Sequence, residues 1–274
     1  MLEGADILRI LLNEKQYTTK CKTAFQVRDE AKQDADIVIL NGFPIKEDCL
    51  INEDDKLTLI KRGETPKKEE LESLMMSRHT PKVHEKLKKG KVAIAGVGGL
   101  GSNVAVSLAR VGVGYIKLID FDIVEPSNLN RQQYFIKQIG MNKVDALKQT
   151  LQEINPFIKI VTISEEITKD NVEKIFEDVD IIVEAFDNAN NKAMLVNEVL
   201  TKFKDKKIIS GSGMAGIYSN NIIETKKINS RLYICGDFVN EAKVGDGLMA
   251  PRVSIVANHE ANTVVRLLCN KEEV

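Results

Sequence analysis

Apolar positions along this chain follow two rhythms. Short apolar runs at Val92–Ala95, Tyr115–Ile119 and 180–186 (DIIVEAF) have the length of buried strands, and 158–165 (IKIVTISE) and 207–214 (KIISGSGM) read as further strands. Between them, Leu100, Val104, Leu108 and Val111, then the segments 143–154, 170–176, 191–203 and 251–269, place apolar residues at helical spacing. Asn155-Pro156 stops one of these helices, and Asp170 is the expected N-cap of another. Repeated alternation of strand and helix predicts an α/β domain over 91–274, built as a Rossmann-like, doubly wound and mostly parallel sheet. NIIETK (221–226) and RLYICGD (231–237) read as antiparallel strands near its end.

The first 63 residues have a different pattern. Segments 7–12 and 17–20 read as a hairpin around Asn13-Glu14-Lys15, 24–33 as a short helix, 36–42 as a strand closed by Asn41-Gly42, and 56–63 as a last, alternating strand. That order predicts a small α+β module at 1–63. Residues 64–90 are charged, interrupted by Pro66 and Pro81, and helical in spacing between the prolines, so they read as a helical linker whose charges face water.

Composition narrows the function classes. With 43% hydrophobic and 29% charged residues the chain can bury a proper core, and its net charge of -1, with no long basic run, gives no footing for nucleic acid. No apolar stretch reaches membrane-spanning length, and the start MLEGADILRILLNEK lacks a signal-peptide pattern, so the expected location is the cytoplasm. Cys21, Cys49, Cys235 and Cys269 form no C-x-x-C pair, and His79, His84 and His259 are not at metal-ligand spacing.

The chemistry concentrates between Lys91 and Arg131. Gly96-Val97-Gly98-Gly99-Leu100-Gly101 carries the G-x-G-x-x-G spacing between a strand and a helix, and the next strand ends on Asp120, 19 residues after Gly101. Glycines let the backbone approach phosphate, the helix start offers unpaired N–H groups, and an acid at that distance accepts ribose hydroxyls. A nicotinamide-dependent oxidoreductase would need no more than this. It would leave unexplained Asn128, Arg131 and Lys143 beyond the second strand, and Asp187-Asn188 at the tip of 180–186. A guanidinium and an ammonium suit a triphosphate, and an acid at a strand tip suits a magnesium ion bridging to it. Asp122 either assists at the nucleotide or caps the turn that follows it.

GVGGLGS (96–102), LIDFD (118–122), SNLNRQ (127–132), Lys143 and FDN (186–188) together resemble, in order and spacing, the ThiF/MoeB/HesA adenylyltransferases related to ubiquitin E1 enzymes, over about Arg78 to the end. The 1–63 module resembles the ThiS/MoaD ubiquitin-like sulfur carriers. Those end in a free Gly-Gly, whereas here Arg62-Gly63-Glu64 runs on, so the module is not itself the activated carrier.

The resemblance implies ATP and Mg²⁺ as ligands. Gly96, Gly98, Gly99 and Gly101 would lie against the nucleotide, Asp120 would hold the ribose, and Asn128, Arg131 and Lys143 would contact phosphates. Asp187, with Asn188 beside it, would ligate Mg²⁺, and Arg78 would reach into a partner subunit's site, implying a homodimer. The implied reaction is adenylation of the C-terminal glycine carboxylate of a carrier, a ThiS-like one for thiamin in the first instance and a MoaD-like one for molybdopterin as the alternative. A cysteine desulfurase would be the sulfur donor. Relatives with structural zinc carry two C-x-x-C pairs that are absent here, so zinc is not expected. Some relatives use a transfer cysteine; Cys235 is the position for such a thiol, its other reading being a small buried strand residue.

Overall fold

The computed structural model describes residues 7–64, 68–75, 79 and 82–274. It divides into two units, Met1–His84 and Glu85–Val274. In the first, β1 (Leu8–Leu12) and β2 (Lys15–Thr19) form a hairpin whose two turn residues, Asn13 and Glu14, both have positive φ, as a tight primed turn demands. Thr23 starts α1 (Ala24–Ala31) through a reciprocal capping box, its Oγ1 accepting the Gln26 N–H while Gln26 Oε1 accepts the Thr23 N–H. Then come β3 (Ile37–Leu40), β4 (Phe43–Ile45) and β5 (Lys56–Ile60). The sheet order is β2-β1-β5-β3-β4 with β1 and β5 parallel, packed on α1 through Ile10, Val27, Val38, Leu57 and Leu59. This is the ubiquitin-like grasp. Strand β4 escapes the sequence pattern because it is three residues long and contains Pro44, tolerated only at an edge.

Helices α2 (Lys68–Met75) and α3 (Val83–Lys89) occupy the charged stretch. The second unit then alternates as expected: β6 (Lys91–Ala95), α4 (Gly99–Arg110), β7 (Tyr115–Ile119), α5 (Lys143–Ile154), β8 (Lys159–Ile163), α6 (Val172–Phe176), β9 (Ile181–Glu184), α7 (Ala189–Lys202) and β10 (Lys207–Gly211). The antiparallel pair β11 (Glu224–Lys227) and β12 (Leu232–Gly236) and the long α8 (Ala250–Leu268) complete it. Helix α6 begins one residue later than Asp170 would allow. Asn171 is its N-cap position, and the Asn171 carboxamide accepts the Thr168 N–H at 2.8 Å.

The sheet runs β11-β12-β10-β9-β6-β7-β8, parallel except for β11. Residues 92–95 and 181–183 are buried on both faces, which is why these strands are uniformly apolar. From β6 the chain moves to β7 on one side and later returns to β9 on the other. That reversal opens a crevice above the carboxyl ends of β6 and β9, where open α/β sheets bind ligands.

Candidate functional site

The glycine turn is the floor of this crevice. Gly96 has φ +86, and a Cβ there would sit 3.0 Å from the Ala185 carbonyl oxygen. A Cβ on Gly101 would lie 1.9 Å from the Gly96 carbonyl oxygen, so Gly101 serves the close packing of helix on turn and does not face the cavity. Gly98 is different: a side chain there would meet only Gln132 Nε2 at 3.8 Å. The turn is held from two sides. Asp120 accepts the Val97 N–H at 2.8 Å and the Asp122 N–H at 2.9 Å, one on each oxygen, and the buried Tyr134 hydroxyl donates to the Val97 carbonyl at 2.7 Å.

The loop after β7 delivers the cations. Asn128 is buried, accepts the Glu125 N–H on its side chain at 3.0 Å, and offers its own carbonyl to the Arg131 and Gln132 N–H groups. It builds the turn that presents Arg131 and does not line the cavity. Asn103 of α4 donates from Nδ2 to the carbonyls of Gly99 and Arg131, tying that turn to the glycine loop. Among the described residues Arg131 Nε and Gln132 Oε1 are buried without a partner, and both residues line the cavity. Lys143, first residue of α5, places Nζ 2.8 Å from Asp122 Oδ2.

At the tip of β9, Asp187 is exposed to the cavity, and among the described residues no donor pairs with its carboxylate. Asn188 is the N-cap of α7, accepting the Asn190 and Asn191 N–H groups, and does not line the cavity. The cavity itself is about 400 Å³ and brings together Gly96, Gly98, Gly99, Asp120, Asp122, Arg131, Lys143 and Asp187. Arg78 lies outside the described residues. Sequence reasoning missed Lys192 and the far wall formed by Ser212, Gly213 and Asn240. Lys192 had one available signal, its place one turn into the helix that follows Asp187.

Cys235 does not fit a transfer thiol. It is fully buried on β12, away from the cavity, and burial together with the nearby Glu260 pushes its thiol up to about 12, against the lowering effect of hydrogen bonds with Thr225 and Thr263. Among the described residues no group of three or more His, Cys, Asp or Glu side chains could hold a metal ion, and no helix is long and apolar enough to cross a membrane.

Comparison with known proteins follows the same outline. The ThiF family profile matches residues 71–274 and the ThiS-like ubiquitin profile matches residues 8–63. The adenylyltransferase and sulfurtransferase MOCS3 of Culex quinquefasciatus is 39% identical over 130 residues, 47% of this chain and 29% of that protein. The tRNA threonylcarbamoyladenosine dehydratase of Bacillus subtilis is 38% identical over 133 residues, 48% of this chain and 52% of that protein. The E. coli tRNA N6-threonylcarbamoyladenosine dehydratase TcdA, in complex with ATP, shares the fold with a TM-score of 0.65 at 20% identity, covering 72% of this chain and 93% of that one. This chain thus spans well under half the length of the Culex protein and about half that of the Bacillus protein. With a glycine turn, a strand-tip acid and a cation-bearing loop set on a doubly wound sheet, and with the family profile running from residue 71 to residue 274, the chain belongs to the ThiF family and carries a ThiS-like ubiquitin module ahead of the ThiF domain.

Proposed function

We propose that this protein is an ATP-dependent adenylyltransferase that activates the C-terminal carboxylate of a separate ubiquitin-like carrier ending in Gly-Gly. The observation that carries the reading is the meeting of Arg131, Lys143 and Asp187 in one cavity floored by the glycine turn. A dinucleotide alone would need the turn and Asp120; the two cations and the free carboxylate suit a triphosphate. The buried, unpartnered Arg131 Nε and Gln132 Oε1 supply polar groups that a nucleotide would satisfy.

In the reaction, a carrier carboxylate oxygen attacks the α-phosphorus of ATP, the bond from that phosphorus to the bridging oxygen breaks, and pyrophosphate leaves with the electron pair. No covalent enzyme group is involved. The chain's task is to hold two anions in line and to stabilise charge on the departing phosphates. Asp120 would accept the ribose hydroxyls while keeping the Val97 N–H. Arg131 and Lys143 would receive phosphate oxygens, Lys143 turning from Asp122 to do so. Asp187, accessible and free of protein donors, fits a magnesium ion that takes one protein carboxylate and fills its shell with phosphate oxygens and water; bound there, the ion would neutralise the triphosphate.

The relatives named above shift the choice of carrier. Culex MOCS3 is named an adenylyltransferase and sulfurtransferase, which favours the alternative over a thiamin carrier: a carrier of the MoaD type. Kinship with the Bacillus dehydratase raises activation of a tRNA-borne group as a second reading. The net charge of -1 opposes tRNA, and the ThiS-like module favours a protein carrier. A cysteine desulfurase as sulfur donor, a homodimer and an Arg78 acting across it belong to the same proposal.

Carrier-dependent ATP–pyrophosphate exchange with Mg²⁺, across MoaD-like and ThiS-like carriers, tests it. Exchange is expected with the MoaD-like partner. Arg131→Ala is expected to lower exchange by about 10²–10³-fold while remaining folded. Full exchange in that variant, or nucleotide binding with no exchange on any Gly-Gly carrier, would reject the reading.

A further inference from the structure

The turn that bears Asp187 is gripped from behind by a buried carboxylate. Glu184, the last residue of β9, has no exposed surface. One of its oxygens accepts the Phe186 N–H at 2.7 Å, Lys192 Nζ reaches the two oxygens at 3.2 and 3.1 Å, and the Ser210 hydroxyl of β10 donates to it as well. Phe186 immediately precedes Asp187, and Lys192 lies in the first turn of α7 just after it. One carboxylate therefore fixes the backbone on both sides of Asp187 and ties it to the neighbouring strand.

Stability alone does not account for this cluster. Replacing a buried ion pair by apolar groups of similar volume is often neutral or favourable, because desolvation consumes the Coulombic gain. The pair is also poorly placed to bind phosphate itself, since both carboxylate oxygens face the Lys192 ammonium and compensate its charge. Its distinguishing property is position: Lys192 lines the cavity, and the pair brackets Asp187, a cavity carboxylate at a strand tip with no protein donor among the described residues.

We propose that Glu184, Ser210 and Lys192 form a positioning clamp that presents Asp187 to the cation accompanying the nucleotide. The cation belongs to the adenylyltransferase reading above; the clamp on the Asp187 turn is a property of the free protein. Lys192→Met alone would strand Glu184 as a buried unpaired charge, so the informative variant is Glu184→Leu with Lys192→Met, which removes both charges and fills the space. Its amides from Phe186 to Lys192 are expected to exchange hydrogen at least about tenfold faster than in the wild type, with β6 and β7 unchanged. ATP is expected to raise its melting temperature as in the wild type without Mg²⁺, while the further rise on adding Mg²⁺ disappears. Lys192→Arg is expected to keep both behaviours. A folded double variant with wild-type exchange over Phe186–Lys192 would overturn the clamp. Exchange is read without nucleotide, so a wild type that binds no ATP would sink the adenylyltransferase reading and leave the exchange result to decide this one.

Discussion

Lys143 and Asp122 are joined twice: the Lys143 ammonium stands 2.8 Å from Asp122 Oδ2, and the Lys143 N–H donates to the Asp122 carbonyl at 2.9 Å. The ammonium end is nearly buried and the carboxylate is half exposed, so Asp122 serves as the counter-ion of a cation that lines the cavity. A phosphate would compete for that cation. Asp122→Asn is therefore expected to destabilise the free protein by about 1 kcal/mol. It should cost the ATP-bound protein less, so ATP with Mg²⁺ should raise the melting temperature more in Asp122→Asn than in the wild type. A smaller rise in the variant would show that Asp122 itself contacts the ligand.

Cys235 is expected to be chemically silent. With its thiol pushed up to about 12, roughly one molecule in 10⁵ carries a thiolate at pH 7, and the residue is buried and does not line the cavity. Native protein treated with iodoacetamide and digested should show Cys21, Cys49 and Cys269, all part-exposed, modified ahead of Cys235. Cys235→Ala should retain pyrophosphate exchange and cost about 1 kcal/mol of stability as a small cavity. Preferential labelling of Cys235, or loss of exchange in a folded Cys235→Ala, would restore a thiol role.

Both outcomes bear on what the sequence could reveal. Strand and helix periods gave the second unit because its central strands are buried on both faces and its helices amphipathic, so pattern and burial coincide. Glycine spacing located the turn, yet spacing could not divide labour among glycines: Gly98 opens on the cavity while Gly101 is excluded from it by the Gly96 carbonyl. Asn128 and Asn188 stand within the matching motifs but work on the backbone, one turning the loop that presents Arg131 and the other capping α7. Motif residues that build a turn and those that touch a ligand look alike in one dimension. Lys192 was hard to pick out for the opposite reason: beyond its place in the helix after Asp187 nothing marks it, since its partner Glu184 lies in another element and a lone lysine in a helix reads as a solvated charge.

The loop beyond β12 is anchored by a second buried pair. Asp237 accepts the Val239 and Asn240 N–H groups and the Asn240 carboxamide, and it meets Arg252, which also donates to the carbonyls of Tyr218 and Ser219. Burial would raise the Asp237 carboxyl, but these hydrogen bonds, those from Asn240 first, outweigh it and bring it to about 2. An acid depressed in the folded state stabilises fully above its unfolded value of about 3.9, and the contribution is lost as pH falls toward 2. Asp237→Asn should therefore flatten the acid limb of the stability curve between pH 4 and 2, measured by urea unfolding in ~0.5 unit steps. Arg252→Met should cost about 3–5 kcal/mol at neutral pH by stranding the carboxylate. An acid limb unchanged in Asp237→Asn would rule out this linkage.

Glu260 of α8 titrates in the other sense. Its side chain is fully buried behind Gly211, a Cβ on that glycine would come within 3.0 Å of Glu260 Oε1, and among the described residues neither carboxyl oxygen has a partner. Burial holds its pKa well above the ordinary range; the Lys192 charge pulls it down and the Glu184 charge pushes it up. Unfolded, the same group ionises near 4.3, so folding takes up a proton at every pH between that value and the folded pKa. Its contribution is thus intact below about pH 4 and is lost progressively as pH rises above that toward the raised folded pKa. Glu260→Gln removes the proton uptake while keeping shape. The absolute stability of the variant also includes an unpartnered amide, so the informative quantity is the slope: as pH rises above about 4.3 the wild type should lose stability faster than Glu260→Gln, the two curves diverging. Parallel curves over that range would mean that Glu260 is ionised in the folded protein and that a cation, Lys192 being the nearest candidate, has been drawn toward it and away from Glu184.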